Sequence, residues 1–263
     1  MANHGGVKGV SAAVLEEQRG STLILTLNRP QVRNAFDLPM AQALEAALDR
    51  FEAAADQQVA ILTGGPSFFC AGVDLRAAAR GERPRTTARG WFGLNEKPPR
   101  KPLIAAVEGP ALAGGFELAL ACDLIVASRT SVFGLPEVSR GLIASAGGLL
   151  RLPQKLPAAV AAEIALTGEP LGAERLYSLG LINRLSEPGG SLSLALSLAE
   201  RVARNAPLSL AATKRVLAMA DGPLAADLWQ RQDAEFTAVR NSDDYREGLA
   251  AFAEKRSPQF KGK

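Results

Sequence analysis

Short, continuous apolar runs recur along the chain: TLILTL after Ser21, VAILT from Val59, LIAAV from Leu103 and LIVAS from Leu124. Each is too short for a helix of ordinary length and is bounded by Gly, Pro, Asp or Ser, as buried strands are. Helical periodicity fills the gaps. Strand, strand, helix, repeated, predicts a sheet covered by helices and excludes a bundle. In detail, strands are expected over 13–19 and 22–28, joined by a Gly20-Ser21 hairpin turn. Asp37 is placed to cap a helix running to about Ala55, with Leu44, Ala47, Leu48 and Phe51 on its buried face. Further strands are expected over 59–64 and 103–107 and at DLIVAS, and a helix opens at Gly114-Gly115 and runs to about Cys122. SVFGLPEVSRGLI reads as loop with a short strand, and AGGLLRLPQKL as the start of another helix. The Arg-, Pro- and Gly-rich stretch 75–101 reads as a poorly packed helical or lid segment. From Pro157 onward helices dominate, over 158–167, 172–179, 191–205, 207–220, 223–240 and 243–255.

Composition narrows the chemistry. Apolar residues make up 47% of the 263, enough for a real core, while aromatics are only 5%, so Leu, Val, Ile and Ala must fill it. A net charge of +3 over this length is too weak for a nucleic-acid footprint. The single histidine, His4, lies in a Gly-rich tail, which argues against a Ser-His-Asp or Cys-His machine and against histidine-based zinc sites. Cys70 and Cys122 form neither a CxxC pair nor a disulfide framework, which fits a reducing compartment and a cytoplasmic protein. The start, MANHGGVKGVSAAV, lacks an apolar signal-peptide region. The most apolar stretch, 111–127, is interrupted by Glu117 and Asp123, so no membrane partner is expected. Any acid–base groups must therefore be carboxylates, with backbone amides as the stabilisers of developing negative charge.

Glu117 stands out in ALAGGFELALACDLIVAS, where nearly every neighbour is apolar. Burial raises a carboxyl pKa and suits a proton shuttle near neutral pH. Its place in the first helical turn also favours an anion. Taken alone, it is equally a solvent-facing or salt-bridged residue of an amphipathic helix. Glu137, in VFGLPEVSRG, is by itself more readily an ordinary loop glutamate. The turns CAGVD and AGGF can present free amides, although glycines also simply permit tight turns. Neither is GxGxxG or GxxxxGK[ST], so a phosphate cradle of those types is not supported. Asp123 reads as a cap or pairing residue. Arg33 reads as a surface salt bridge or a phosphate contact, and Trp91 and Phe92 as core or the wall of an acyl pocket.

Five strings, in order, resemble the crotonase (enoyl-CoA hydratase/isomerase) superfamily: LTLNRPQVRNAF, SFFCAGVDL, IAAVEGPALAGGFELALACDLIVAS, FGLPEVSRGLIASAGGLLRLP and ALTGEPLGAERLYSLGLINRL. The ending AFAEKRSPQFKGK also looks like a family tail. The resemblance implies an α/β fold, a crotonase-like spiral of ββα units over 13–200, preceded by a tail over 1–12. It is followed by an α-helical C-terminal trimerisation region over 201–263. It implies an oxyanion hole from the backbone N–H groups of Val73 and Gly114, and catalytic carboxylates Glu117 and Glu137. It also implies CoA binding through Ala71 and Val73, with Arg33 a candidate contact near the phosphates. The implied reaction is hydration of a 2-enoyl-CoA, with no metal and no cofactor beyond the CoA of the substrate, in a homotrimer or a hexamer of paired trimers. The GGFELALA, LPE and AGGLLRLP strings look like the carnitinyl-CoA dehydratase branch, which is one alternative. An enoyl-CoA isomerase is another, and a non-catalytic acyl-CoA-binding scaffold is the remotest. Two departures from the family pattern bear on the acyl group. Val73 stands where Ala is common, and Ser145 lies where hydratases often carry a preceding Pro-Gly.

Overall fold

The computed structural model describes residues 12–219, 234, 237–239 and 241–263. His4 and most of the helix expected over 223–240 lie outside the described residues. The hairpin forms as expected: β1 (Val14–Arg19) and β2 (Thr22–Leu27) pair antiparallel from Val14 opposite Leu27 to Arg19 opposite Thr22. Gly20 turns between them at φ +57°. Helix α1 (Leu38–Ala53) starts where Asp37 Oδ1 accepts the Met40 N–H at 3.0 Å. Its buried stripe comprises Met40, Ala41, Leu44, Ala47, Leu48 and Phe51, the spacing of one helix face.

The remaining elements follow one another in repeated units. They are β3 (Val59–Thr63), α2 (Leu75–Ala79), a small hairpin of β4 (Arg85–Thr86) and β5 (Gly90–Trp91), β6 (Leu103–Val107), β7 (Ala111–Leu112) and α3 (Gly114–Ala121). Next come β8 (Leu124–Ser128), β9 (Val132–Gly134), a 3-10 turn over Pro136–Arg140, α4 (Gly148–Lys155) and α5 (Ala158–Thr167). Then come β10 (Leu171–Gly172), α6 (Ala173–Ser178), β11 (Arg184–Ser186), α7 (Ser191–Ala203), α8 (Pro207–Met219) and α9 (Asp243–Glu254). A six-stranded sheet runs β1-β2-β3-β6-β8-β11, and a three-stranded sheet runs β10-β9-β7. Successive units each give one strand to the large sheet, then one to the small sheet: β6 then β7, β8 then β9. The unit of β3 does the same through an isolated bridge from Cys70 to Ala111. This is a spiral of ββα units.

From β2 to β11 the large sheet is parallel. VAILT and LIAAV are therefore buried on both faces and read as unbroken apolar runs. One face meets the main core, with Leu44, Phe51, Leu62, Ala105 and Phe116. On the other, Val59, Ile61, Ile104, Ala106 and Val126 pack on Ala195 and Ala199 of α7.

The stretch 75–101 differs from expectation. Only α2 is helical, and Thr86, Arg89, Phe92, Leu94 and Asn95 are buried rather than loosely held. The reason is long-range polar pairing with the outer face of α1. Asp49 holds the Arg89 guanidinium at 2.7 Å, Glu45 accepts the Arg89 N–H at 2.9 Å, and the Thr86 hydroxyl also donates to Glu45. Among the described residues, no helix is long and apolar enough to cross a membrane.

Candidate active site

Two consecutive left-handed residues, Arg33 and Asn34 (both φ +55°), turn the link after β2 back toward the core. Buried Asn34 donates through Nδ2 to the carbonyls of Gly64, Phe68 and Phe69, at 2.7, 3.0 and 3.1 Å. Its Oδ1 accepts the Arg29 N–H. Phe36 then runs beside the next turn: its N–H donates to Gly72 O at 2.7 Å, and its carbonyl accepts from Asp74 N–H at 2.9 Å. Arg29 ties both sides together, pairing with Asp37 at 2.9 Å and Asp74 at 3.1 Å. Each of those aspartates caps a helix, α1 and α2. The CAGVD turn is thus held from several directions.

That turn abuts the start of α3. Gly72 has φ +90°, and a Cβ placed on it would lie 2.7 Å from the Gly114 nitrogen. Ala113, just before Gly114, adopts φ 52°, ψ −129°, a conformation costly for a residue with a Cβ. It is held by its N–H donating to Gly134 O and by its carbonyl accepting from Phe116 and Glu117. Among the described residues, neither the Val73 N–H nor the Gly114 N–H donates to a protein acceptor. The first N–H groups of a helix have no intrahelical acceptor, so Gly114 offers a free donor.

Glu117 sits in the first turn of α3 and is 2% exposed. Its Oε1 accepts the Ala146 and Gly148 N–H groups, each at 2.8 Å. Burial pushes its carboxyl up to about 7; the Glu137 charge adds to the rise, while the two amides and Arg151 oppose it. Glu137 stands in the 3-10 turn after β9. Its carboxyl is also raised, chiefly by burial, and its Oε2 is buried without a hydrogen-bond partner. Two carboxyls that sense each other in a poorly solvated site titrate as a pair and hold one proton over the intermediate range.

Every site residue expected from the sequence lines one cavity of about 740 Å³: Arg33, Ala71, Val73, Gly114, Glu117 and Glu137. Trp91 and Phe92 belong both to its wall and to the core, with Phe92 1% exposed and edge-on to Phe36. Ser145, Leu142 and Ile143 complete the rim. Arg33 forms no surface salt bridge among the described residues; its guanidinium lies over the Phe68 ring, 5.8 Å from the centroid. Of the two roles expected for Asp123, it takes pairing and not capping, accepting the Leu103 N–H at the start of β6 at 2.8 Å and Lys214 Nζ at 2.6 Å. The cysteines are buried thiols, each raised by burial to about 12 and therefore poor nucleophiles. The Cys70 sulfur instead accepts the Gly72 N–H at 3.3 Å. Among the described residues, no group of three or more His, Cys, Asp and Glu could hold a metal ion.

Sequence reasoning missed Asn34, Arg29 and the Ala146 and Gly148 amides. The AGG spacing was the only signal for the last two.

The raised pKa of Glu117 makes a stability prediction. Its ordinary value is 4.5 and its folded value about 7. The fold therefore favours the protonated form. That contribution is complete below about 4.5 and is lost as pH rises through 7. Glu117→Gln, which cannot ionise, should be more stable than the wild type at pH 8 by about 1–3 kcal/mol, with the gap narrowing toward pH 5. Urea unfolding at the two pH values measures it, and an unchanged gap would contradict a buried, raised Glu117.

The family model described as enoyl-CoA hydratase/isomerase matches residues 17–263. A carnitinyl-CoA dehydratase from Proteus mirabilis is 40% identical over 253 residues, covering 93% of this chain and 97% of that protein. Among solved structures, an enoyl-CoA hydratase from Mycobacterium marinum superposes with a TM-score of 0.93 at 51% identity, covering 96% of this chain and all of that one. A carnitinyl-CoA hydratase from Mycobacterium avium gives a TM-score of 0.77 at 43% identity, over 97% of this chain and all of that one. With the family model matching residues 17–263 and solved structures superposing over nearly the whole chain, the chain belongs to the enoyl-CoA hydratase/isomerase, or crotonase, family.

Proposed function

We propose that the protein hydrates a 2-enoyl-CoA thioester to the 3-hydroxyacyl-CoA, and runs the dehydration in reverse. One observation carries this reading: a buried carboxyl, Glu117, and a half-buried one, Glu137, both with raised pKa values, share a cavity with two acceptor-free backbone amides from abutting turns. The thioester carbonyl would rest on the Val73 and Gly114 N–H groups. As water oxygen bonds to C3, the double-bond electrons move toward that carbonyl, and the amides stabilise the enolate; each donor is worth about 10²–10³ in rate. Glu117 takes the water proton. The two N–H groups on its Oε1 oppose the effect of burial and keep the anion accessible near pH 7, where a carboxylate of that raised value is a stronger base than an ordinary one. Glu137 delivers a proton to C2, and its partnerless Oε2 suits a protonated acid.

Ala71 and Val73 would meet the CoA adenine through backbone atoms, and exposed Arg33 at the rim would meet its phosphates. No metal or redox cofactor enters this chemistry, since CoA arrives with the substrate. The C-terminal helices would assemble a homotrimer or a hexamer, in keeping with a cytoplasmic enzyme.

The test is loss of conjugated-enoyl absorbance when purified protein meets crotonyl-CoA. Turnover is expected, and a folded protein that leaves the absorbance unchanged would exclude hydration of short straight chains. The names of the relatives favour a second substrate of the same chemistry, crotonobetainyl-CoA, which belongs in the same assay. Conjugation of a 3-enoyl-CoA without hydration would point to an isomerase, for which one carboxylate suffices.

A further inference from the structure

Asn95 lies outside the cavity wall and is 1% exposed. Its Nδ2 donates to the Ala146 carbonyl at 2.8 Å. Its own N–H donates to Trp91 O at 2.9 Å, and its carbonyl accepts from Arg151 of α4. Its Oδ1 is buried without a hydrogen-bond partner. A buried polar atom left unpaired costs free energy that an apolar side chain of similar size would avoid. Packing alone therefore does not account for asparagine here; the single donated bond does.

That bond reaches a particular peptide. The Ala146 carbonyl belongs to the peptide joining Ala146 to Gly147. The N–H groups that grip Glu117 belong to the peptides on either side, those of Ala146 and Gly148. Gly147 is left-handed at φ +96°, so the three peptides form one tight turn at the start of α4. Holding the middle peptide restrains both neighbours, because rigid planar peptides are joined to it only through φ and ψ at Ala146 and Gly147.

We infer that Asn95 is a positioning residue: by holding the Ala146–Gly147 peptide, it aims the two flanking amides at Glu117. The inference rests on the reading of Glu117 as the base. The charged groups that bear on Glu117 are Glu137 from the 3-10 turn and Arg151 from α4. Asp74, across the cavity, is engaged by Arg29. Asn95 adds no charge, so its effect on Glu117 passes through the turn alone.

The experiment compares the wild type with Asn95→Leu and Asn95→Ala. The Glu117 side-chain carboxyl is titrated by ¹³C NMR, its signal assigned by its absence in Glu117→Gln. Loosened amides stabilise the anion less, so the Glu117 midpoint should rise by at least about half a unit. In the same variants kcat for crotonyl-CoA at neutral pH should fall about 10-fold or more, with KM little changed. A folded variant with an unchanged midpoint overturns the proposal, even if kcat falls equally at every pH, since that is mere structural damage. If neither variant folds, amide exchange in the wild type decides: Ala146 and Gly148 should be as protected as the core of α3, and loop-like exchange overturns the proposal. Absence of any acyl-CoA turnover by the wild type would sink the hydratase reading, yet leave the NMR comparison to judge Asn95.

Discussion

Glu117→Gln should lower kcat for hydration of crotonyl-CoA by about 10²–10⁴, the usual worth of a positioned proton-transfer group. Glutamine can keep its oxygen on the Ala146 and Gly148 amides, so the turn and the fold should survive and KM should change little. What it cannot do is take a proton from water. Glu137→Gln should lose activity on the same scale, because C2 then has no acid. The double variant should lose far less than the product of the two, since the residues act on one coupled event. The wild-type kcat/KM should be bell-shaped in pH. Below the lower step of the pair both carboxyls are protonated and no base remains; above the upper step both are ionised and no acid remains. Either single variant should remove one limb. Steady-state rates across pH check this, and a Glu117→Gln enzyme within about tenfold of wild type would remove Glu117 from the chemistry.

Gly72→Ala should be nearly as damaging, for a different reason. The backbone there has φ +90°, which alanine adopts only under strain, and its methyl group would lie 2.7 Å from the Gly114 nitrogen. That neighbour is main chain at a helix start and cannot swing aside. The CAGVD turn and the start of α3 must part, so one of the two amides leaves the carbonyl site. Loss of one oxyanion donor costs about 10²–10³ in kcat, and the strain about 1–3 kcal/mol of stability. Kinetics and thermal unfolding on the same preparation separate the two effects. A destabilised variant with wild-type kcat would mean that the abutting amides do not serve the reaction.

Much of this was legible along the chain. Within the described residues and apart from the stretch 75–101, the expected strands and helices lie within a few residues of the observed ones, because unbroken apolar runs and helical spacing are local consequences of burial. Glu117 was conspicuous as a charge in an apolar helix. Less legible was the stretch after α2. Its Arg, Pro and Gly content suggests solvation, yet Glu45 and Asp49 of α1 hold Arg89 inside. The grip on Glu117 was not legible either. Its two amides lie 29 and 31 residues away, and Asn95 is 51 residues from the carbonyl it holds.

The sequence by itself determined the alternation of strands and helices, the conspicuous carboxylate in an apolar helix and the two glycine turns, since these depend on residue type and on near neighbours. Only the tertiary structure decided that Val73 and Gly114 share one cavity with both glutamates, that Arg29 ties two helix caps beside it, and that a distant turn holds Glu117. These depend on how the spiral stacks one ββα unit on the next, and contacts between units join residues whose separation carries no local pattern.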